Sequence, residues 1–170
     1  MTERLWAPWR MQYVSSARDK PEGCLFCDRA QGECTPENLV LWRNEHALVM
    51  LNAFPYTNGH LMVAPIRHTA DLSDLSDDEL LAVAKLVREC VNLLQAAYHP
   101  DGFNIGVNLG RAAGAGIEDH IHWHVVPRWN GDTNFMPVLA DVRVIPDSLE
   151  NTYQTLRQIV NQHDGHGIDP

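Results

Sequence analysis

Residues 60–94 read HLMVAPIRHTADLSDLSDDELLAVAKLVRECVNLL, and this stretch decides the fold class. Its first six residues, HLMVAP, follow the turn signal Thr57-Asn58-Gly59 and are short, apolar and closed by proline, so they read as a strand. Ser76-Asp77-Asp78-Glu79 then fits the S-x-x-E capping box, in which the two side chains take up amides that the first helical turn leaves unbonded. After it, Leu80, Ala84, Val87, Val91 and Leu94 recur at helical spacing, with Cys90 as a small core residue. The sequence HPDG at 99–102 stops the helix.

Upstream, 39–43 (LVLWR) and 46–51 (HALVML) read as strands separated by a turn at Asn44-Glu45. Downstream, 103–109 (FNIGVNL) is a strand and 110–116 (GRAAGAG) a glycine-rich loop, while 120–126 (HIHWHVV) is a further strand ended by Pro127. A last helix starts near Pro146-Asp147 and buries Leu149, Tyr153, Leu156 and Val160. Strands, a long helix, strands and a helix make an α+β domain with a mainly antiparallel sheet of about five strands. The glycine-rich loop is not a dinucleotide fingerprint, because a strand follows it where a helix would be needed. The organisation expected is an N-terminal arm over 1–23, one domain over 24–162 and a polar tail over 163–170. The arm carries Trp6, Trp9 and Tyr13, which either dock on the domain or a partner subunit or belong to a loosely held terminus.

The chain has 170 residues, 45% of them hydrophobic, which is enough for one buried core. Its net charge of −9 repels a phosphate backbone, so nucleic acid is not an expected partner. No apolar run approaches the roughly 20 residues of a membrane helix. The opening MTERLWAPWRMQYV lacks an apolar signal core, so a reducing, cytoplasmic setting is expected. In that setting the four cysteines stay reduced, and Cys24 and Cys27 have the C-x2-C spacing of metal ligands.

The segment EDHIHWHVVPRW at 118–129 carries the chemistry. In a strand His120, His122 and His124 share one face about 7 Å apart, while Ile121, Trp123 and Val125 fill the other. Three imidazoles in register need three sets of polar partners, which makes a functional site the better reading than a structural accident. One option is metal: a structural zinc wants four Cys or His ligands, and His46, His60, His68, His99 and the three strand histidines all compete to join the cysteines. The other is nucleophilic catalysis, in which a neutral imidazole attacks phosphorus while its second nitrogen is fixed by an acceptor. A neighbouring histidine would then serve the leaving oxygen, with the loop Gly110–Gly116 and Asn108 cradling phosphate. The residues alone leave these options open.

These motifs resemble the histidine triad superfamily. HIHWHVV matches its His-φ-His-φ-His-φ-φ signature, and GHLMVAPIRH at 59–68 looks like a second hallmark. LNAFPY at 51–56, FNIGVNLG at 103–110 and VVPRWNGDTNF at 125–135 extend the match. The branch it resembles comprises dinucleoside polyphosphate hydrolases and diadenosine tetraphosphate phosphorylases. The resemblance implies a histidine-triad fold, a homodimer and a nucleotide substrate. It makes His122 the nucleophile, His124 the phosphate and leaving-group contact, and His60 a hydrogen-bond partner within the triad. It also implies nucleotide contacts from Asn52, Asn108, Gly114 and Gly116, and a structural zinc on Cys24, Cys27, His68 and His120. One departure is the stretch RAAGAGIED, which has no hydroxyl where many members use one on phosphate. Water or inorganic phosphate could therefore take the nucleotidyl group, and Arg111 either supplies the missing contact or faces solvent. Competing readings are a nucleoside phosphoramidase, a nucleotide-binding module without turnover, and a metalloenzyme using all three histidines.

Overall fold

The computed structural model describes residues 23–132 and 145–163. The arm before Gly23, the tail beyond His163 and the end of the VVPRWNGDTNF stretch lie outside them.

Five strands, β1 (Val40–Arg43), β2 (Ala47–Leu51), β3 (Leu61–Pro65), β4 (Gly102–Val107) and β5 (Trp123–Arg128), form one sheet in the order β1-β2-β3-β5-β4. Every neighbouring pair is antiparallel. Among the described residues three α-helices accompany it: α1 (Leu25–Gln31), which the sequence reading did not identify, α2 (Asp77–Tyr98) and α3 (Leu149–His163).

Both β2 and β3 are buried along their whole length, because each face of the sheet is covered. Ala47, Val49, Leu51, Leu61, Val63 and Val125 pack against α2 and α3. The alternate residues Leu48, Met50, Met62 and Ala64 pack around Phe26 of α1. The period-two alternation therefore splits the sheet into a face packed on α2 and α3 and a second face packed on α1, and His124, opposite Met62, belongs to the second.

Helix α2 starts at the capping box, with Ser76 N–H donating to Glu79 Oε2 (2.8 Å) and Glu79 N–H to Ser76 Oγ (3.3 Å). It ends at His99, whose backbone is left-handed (φ 46°) and whose N–H reaches Gln95 O. Its buried stripe is displaced from the expected one. Val83, Leu86, Cys90, Leu93 and Leu94 face the core, whereas Ala84 is exposed and Leu80, Val87 and Val91 are half-buried. Two apolar spacings overlap on this helix, and contact with α3 as well as the sheet selects the second. On α3, Tyr153, Leu156 and Val160 are buried as expected, and Leu149 is half-buried.

The histidine segment also differs. The ladder begins at Trp123, three residues later than expected, and continues through Pro127 to Arg128. Before it, Ile121 N–H donates to Thr69 O (2.7 Å), so this part of the chain is held by a loop and not by a strand. Proline is tolerated because β3 pairs with β5 only as far as Val125; on that side the Pro127 carbonyl accepts from Thr57 Oγ1 (2.9 Å).

Candidate active site and metal centre

Strand parity gathers the site. Gly106 of β4 lies opposite His124, Met62 of β3 lies on its other side, and Asn104 faces Val126. His60 precedes β3 on the same parity. Gly59, which delivers it, has φ +76°, and a Cβ there would lie 2.9 Å from Leu94 Cδ2. Only glycine meets both conditions.

The three inner imidazoles have their protons assigned by their partners. His60 Nδ1 accepts from Tyr56 N–H (3.1 Å), so its proton sits on Nε2 and donates to His124 Nδ1 (3.0 Å). His124 therefore carries its proton on Nε2. His122 Nδ1–H donates to its neighbour's backbone carbonyl, His120 O (2.8 Å), which leaves a lone pair on His122 Nε2. The rings of His122 and His124 meet edge to face with centroids 5.0 Å apart. Burial, then the neighbouring imidazoles, holds His60 down at about 3. Burial and His122 hold His124 at about 4, and burial lowers His122 as well. The cluster is neutral at physiological pH, with one free ring-nitrogen lone pair beside one N–H donor.

His120 points elsewhere. Its Nε2–H donates to Pro65 O (2.9 Å), which turns Nδ1 toward Cys24 Sγ (3.2 Å) and Cys27 Sγ (3.7 Å). His68 Nδ1 lies 3.3 Å from Cys27 Sγ, and the four ligand atoms are all within 4.8 Å of one another. Zinc bonded to sulfur and nitrogen at about 2.3 and 2.0 Å sets neighbouring ligand atoms roughly 3.4–3.8 Å apart in a tetrahedron. The three Cys–His spacings of 3.2, 3.3 and 3.7 Å lie close to such edges, and the His120 tautomer is the one that can ligate. Burial, followed by the adjacent Cys24, pushes the Cys27 thiol up to about 11. A dication reverses that preference by stabilising thiolate. The donor set thus fits a closed four-ligand site, and the His120 ring turns toward it, away from the partners of His122 and His124.

The remaining expected residues divide. Asn108 lines an open cleft of about 910 Å³ that also contains His124. Asn52 stands behind His60, its Oδ1 accepting from Phe54 N–H (2.9 Å) and its Nδ2 3.4 Å from His60 Nδ1. Gly114 and Gly116 are exposed in the loop and outside the cleft lining. Arg111 extends into solvent, 89% exposed, with Glu118 3.9 Å away.

Several contributors escaped the sequence reading. Phe26, fully buried within the C-x2-C turn, packs its ring on both His120 (5.1 Å) and His122 (4.8 Å). Tyr56 lies over His60 (4.7 Å). Arg67 binds Glu79 through both carboxylate oxygens (2.8 Å each) and Asp74 O (2.6 Å), fixing the loop that presents His68. A large aromatic between two paired cysteines was the available signal for Phe26; the others needed the fold.

The HIT domain family model matches residues 35–131. An AP-4-A phosphorylase of Mycobacterium tuberculosis is 37% identical over 160 residues, covering 91% of this chain and 82% of that protein. An uncharacterised HIT-like protein of Mycoplasma genitalium is 33% identical over 144 residues, covering 85% and 99%. The solved structure of a zinc-bound histidine triad family protein from Mycobacterium smegmatis superposes with a TM-score of 0.67 at 31% identity, covering 85% and 98%. With the triad, the sheet order and most of the chain matched, this protein belongs to the HIT domain family.

Proposed function

We propose that this chain cleaves dinucleoside polyphosphates at the α-phosphate by way of a nucleotidyl-His122 intermediate. The observation that carries this reading is the proton assignment: His122 Nδ1–H is spent on His120 O, so Nε2 is free to attack. The Nε2–P bond forms as the bond from phosphorus to the bridging oxygen breaks. His124 Nε2–H donates to the departing oxygen, and the His60 bond behind it keeps that proton in place. His120 O stabilises the positive charge left on the nucleotidylated ring. Water or inorganic phosphate then attacks phosphorus, the N–P bond breaks and neutral His122 returns. Similarity to an AP-4-A phosphorylase supports the substrate class.

The acceptor is tested by product analysis of diadenosine tetraphosphate with and without inorganic phosphate. ADP formed only with phosphate marks phosphorolysis, while AMP marks hydrolysis. An adenosine phosphoramidate, run in parallel, separates the phosphoramidase reading. Undiminished turnover by His122→Ala refutes the proposal.

The metal proposed for Cys24, Cys27, His68 and His120 is zinc, in a structural role, since four protein ligands leave no open position. When bound it ties the start of the domain to the histidine segment. Asn52, beside His60, and Asn108, in the cleft, are proposed nucleotide contacts, as are Gly114 and Gly116 through backbone amides. We also propose a homodimer in a cytoplasmic setting. Edge strand β4 exposes Ile105, and the adjoining Leu109 is exposed too, a surface that suits a second copy. Among the described residues, no helix is long and apolar enough to cross a membrane.

A further inference from the structure

The proposed chemistry uses His122, yet the cleft beside it is lined by His124 and not by His122. From His124 the cleft follows β5 through Val126 to Arg128, about 13 Å at 3.3 Å per residue, and continues to Trp129. In an in-line displacement the departing oxygen lies on the far side of phosphorus from the nucleophile. The group that enters a cleft beginning at the leaving-group donor is therefore the leaving half of the substrate.

The walls show what that half carries. Tyr56, 45% exposed, stands at the inner end beside His124, with ring centroids 6.0 Å apart. Trp129 stands at the outer end, braced by Nε1–H donating to Tyr98 O (3.3 Å). Asn104 supplies an amide between them. The one guanidinium among the described residues of the lining, Arg128, is already held by both oxygens of Asp132 (2.5 and 2.8 Å) and by Asn104 Oδ1 (2.7 Å). A bare polyphosphate calls for uncompensated cations; aromatic faces and amides suit a base and its ribose. Among the described residues, a Cβ on Gly106, opposite His124, would meet no atom within 4 Å, which leaves room on this side of the strand.

We propose that this cleft is the binding site for the nucleoside of the leaving nucleotide, so that the protein selects substrates bearing a second nucleoside. The inference rests on the nucleotidyl-His122 reading. Its test compares diadenosine tetraphosphate with adenosine 5′-tetraphosphate, in which the same α-phosphate bond breaks but the leaving group has no nucleoside. The wild-type protein should favour the dinucleoside in kcat/KM by roughly 5- to 100-fold, the range of one base stacked on an aromatic ring. Trp129→Ala and Asn104→Ala should bring that ratio toward one. A variant that merely loosens the fold lowers both substrates together and leaves the ratio unchanged, and that result for both variants overturns the assignment. A wild-type ratio near one, with nucleotidyl-His122 still trapped from both substrates, also overturns it while the catalytic reading stands. Failure to trap the intermediate from either substrate removes the catalytic reading and this inference with it.

Discussion

Replacing His60 with alanine tests the hydrogen-bond chain directly. His60 is fully buried, and its ring holds Tyr56 N–H and His124 Nδ1, with Asn52 Nδ2 a longer contact at 3.4 Å. The substitution leaves a cavity and strips both partners. Each stranded polar group costs on the order of 1–3 kcal/mol, with Tyr56 N–H at the low end because water reaches that loop. With the cavity included, the loss is roughly 3–5 kcal/mol, a large share of a typical domain's stability. His124 also loses the donor that keeps its own proton on Nε2, so the leaving-group contact weakens; general acid contributions of about 10²–10⁴ in rate bound the loss of kcat. His60→Gln offers an amide oxygen to Tyr56 N–H and an amide N–H to His124, and should recover a large part of both losses. Denaturant titration, metal content and single-turnover rates read the outcome. Zinc should stay at wild-type level, because His60 is not among the four clustered ligands. Wild-type rate and stability in His60→Ala, or a glutamine variant no better than alanine, would refute the reasoning.

Cys24→Ser removes one of four ligands, so zinc content should fall well below one per chain and thermal stability should become insensitive to chelator; unchanged one-to-one zinc refutes the four-ligand assignment. Acid should destabilise the fold through the neutral histidines. An unfolded histidine titrates near 6.5, whereas His60 is held at about 3 and His124 at about 4. Below pH 6.5 the unfolded chain takes up protons that the native chain refuses, so this stability is complete above 6.5 and is lost as pH falls toward 4 and then 3. The slope is at most about 1.4 kcal/mol per pH unit for buried His60 and less for His124, whose half-buried ring is partly screened. Denaturant midpoints at pH 7 and pH 5 should therefore separate less in His60→Gln than in wild type; equal separation counts against it. Gly59→Ala forces a side chain into a left-handed backbone 2.9 Å from Leu94 and should cost about 1–3 kcal/mol by thermal or denaturant unfolding; wild-type stability in this variant counts against a glycine-only position.

Local rules explain which parts of this architecture were legible. The α2 start was readable because a capping box is satisfied within four residues, and β2 and β3 because short apolar runs between turn residues have few alternatives. The buried stripe of α2 was misplaced because two apolar periodicities coexist there, and only packing against α3 and the sheet chooses between them. Helix α1 was missed because it is one seven-residue segment with a single fully buried side chain, Phe26, too little for a helical period to show. The late start of β5 depends on Thr69 O, a partner more than fifty residues away that no local pattern reveals.

The sequence by itself determined that three histidines alternate, that a cysteine pair is available, and that the chain is an α+β domain with the triad signature. Period and composition are local, so one chain suffices to read them. The resemblance already implied that the histidines are unequal; what only the tertiary structure decided is the physical reason, which nitrogen of each ring is left with a proton or a lone pair. His120 turns to Cys24 because Pro65 O takes its other nitrogen, while His122 keeps a free lone pair because His120 O takes its proton. His124 is a donor because His60, sixty-four residues away, gives it a hydrogen bond. A histidine's role is set by which nitrogen carries the proton, and that is fixed by partners the chain brings together only on folding.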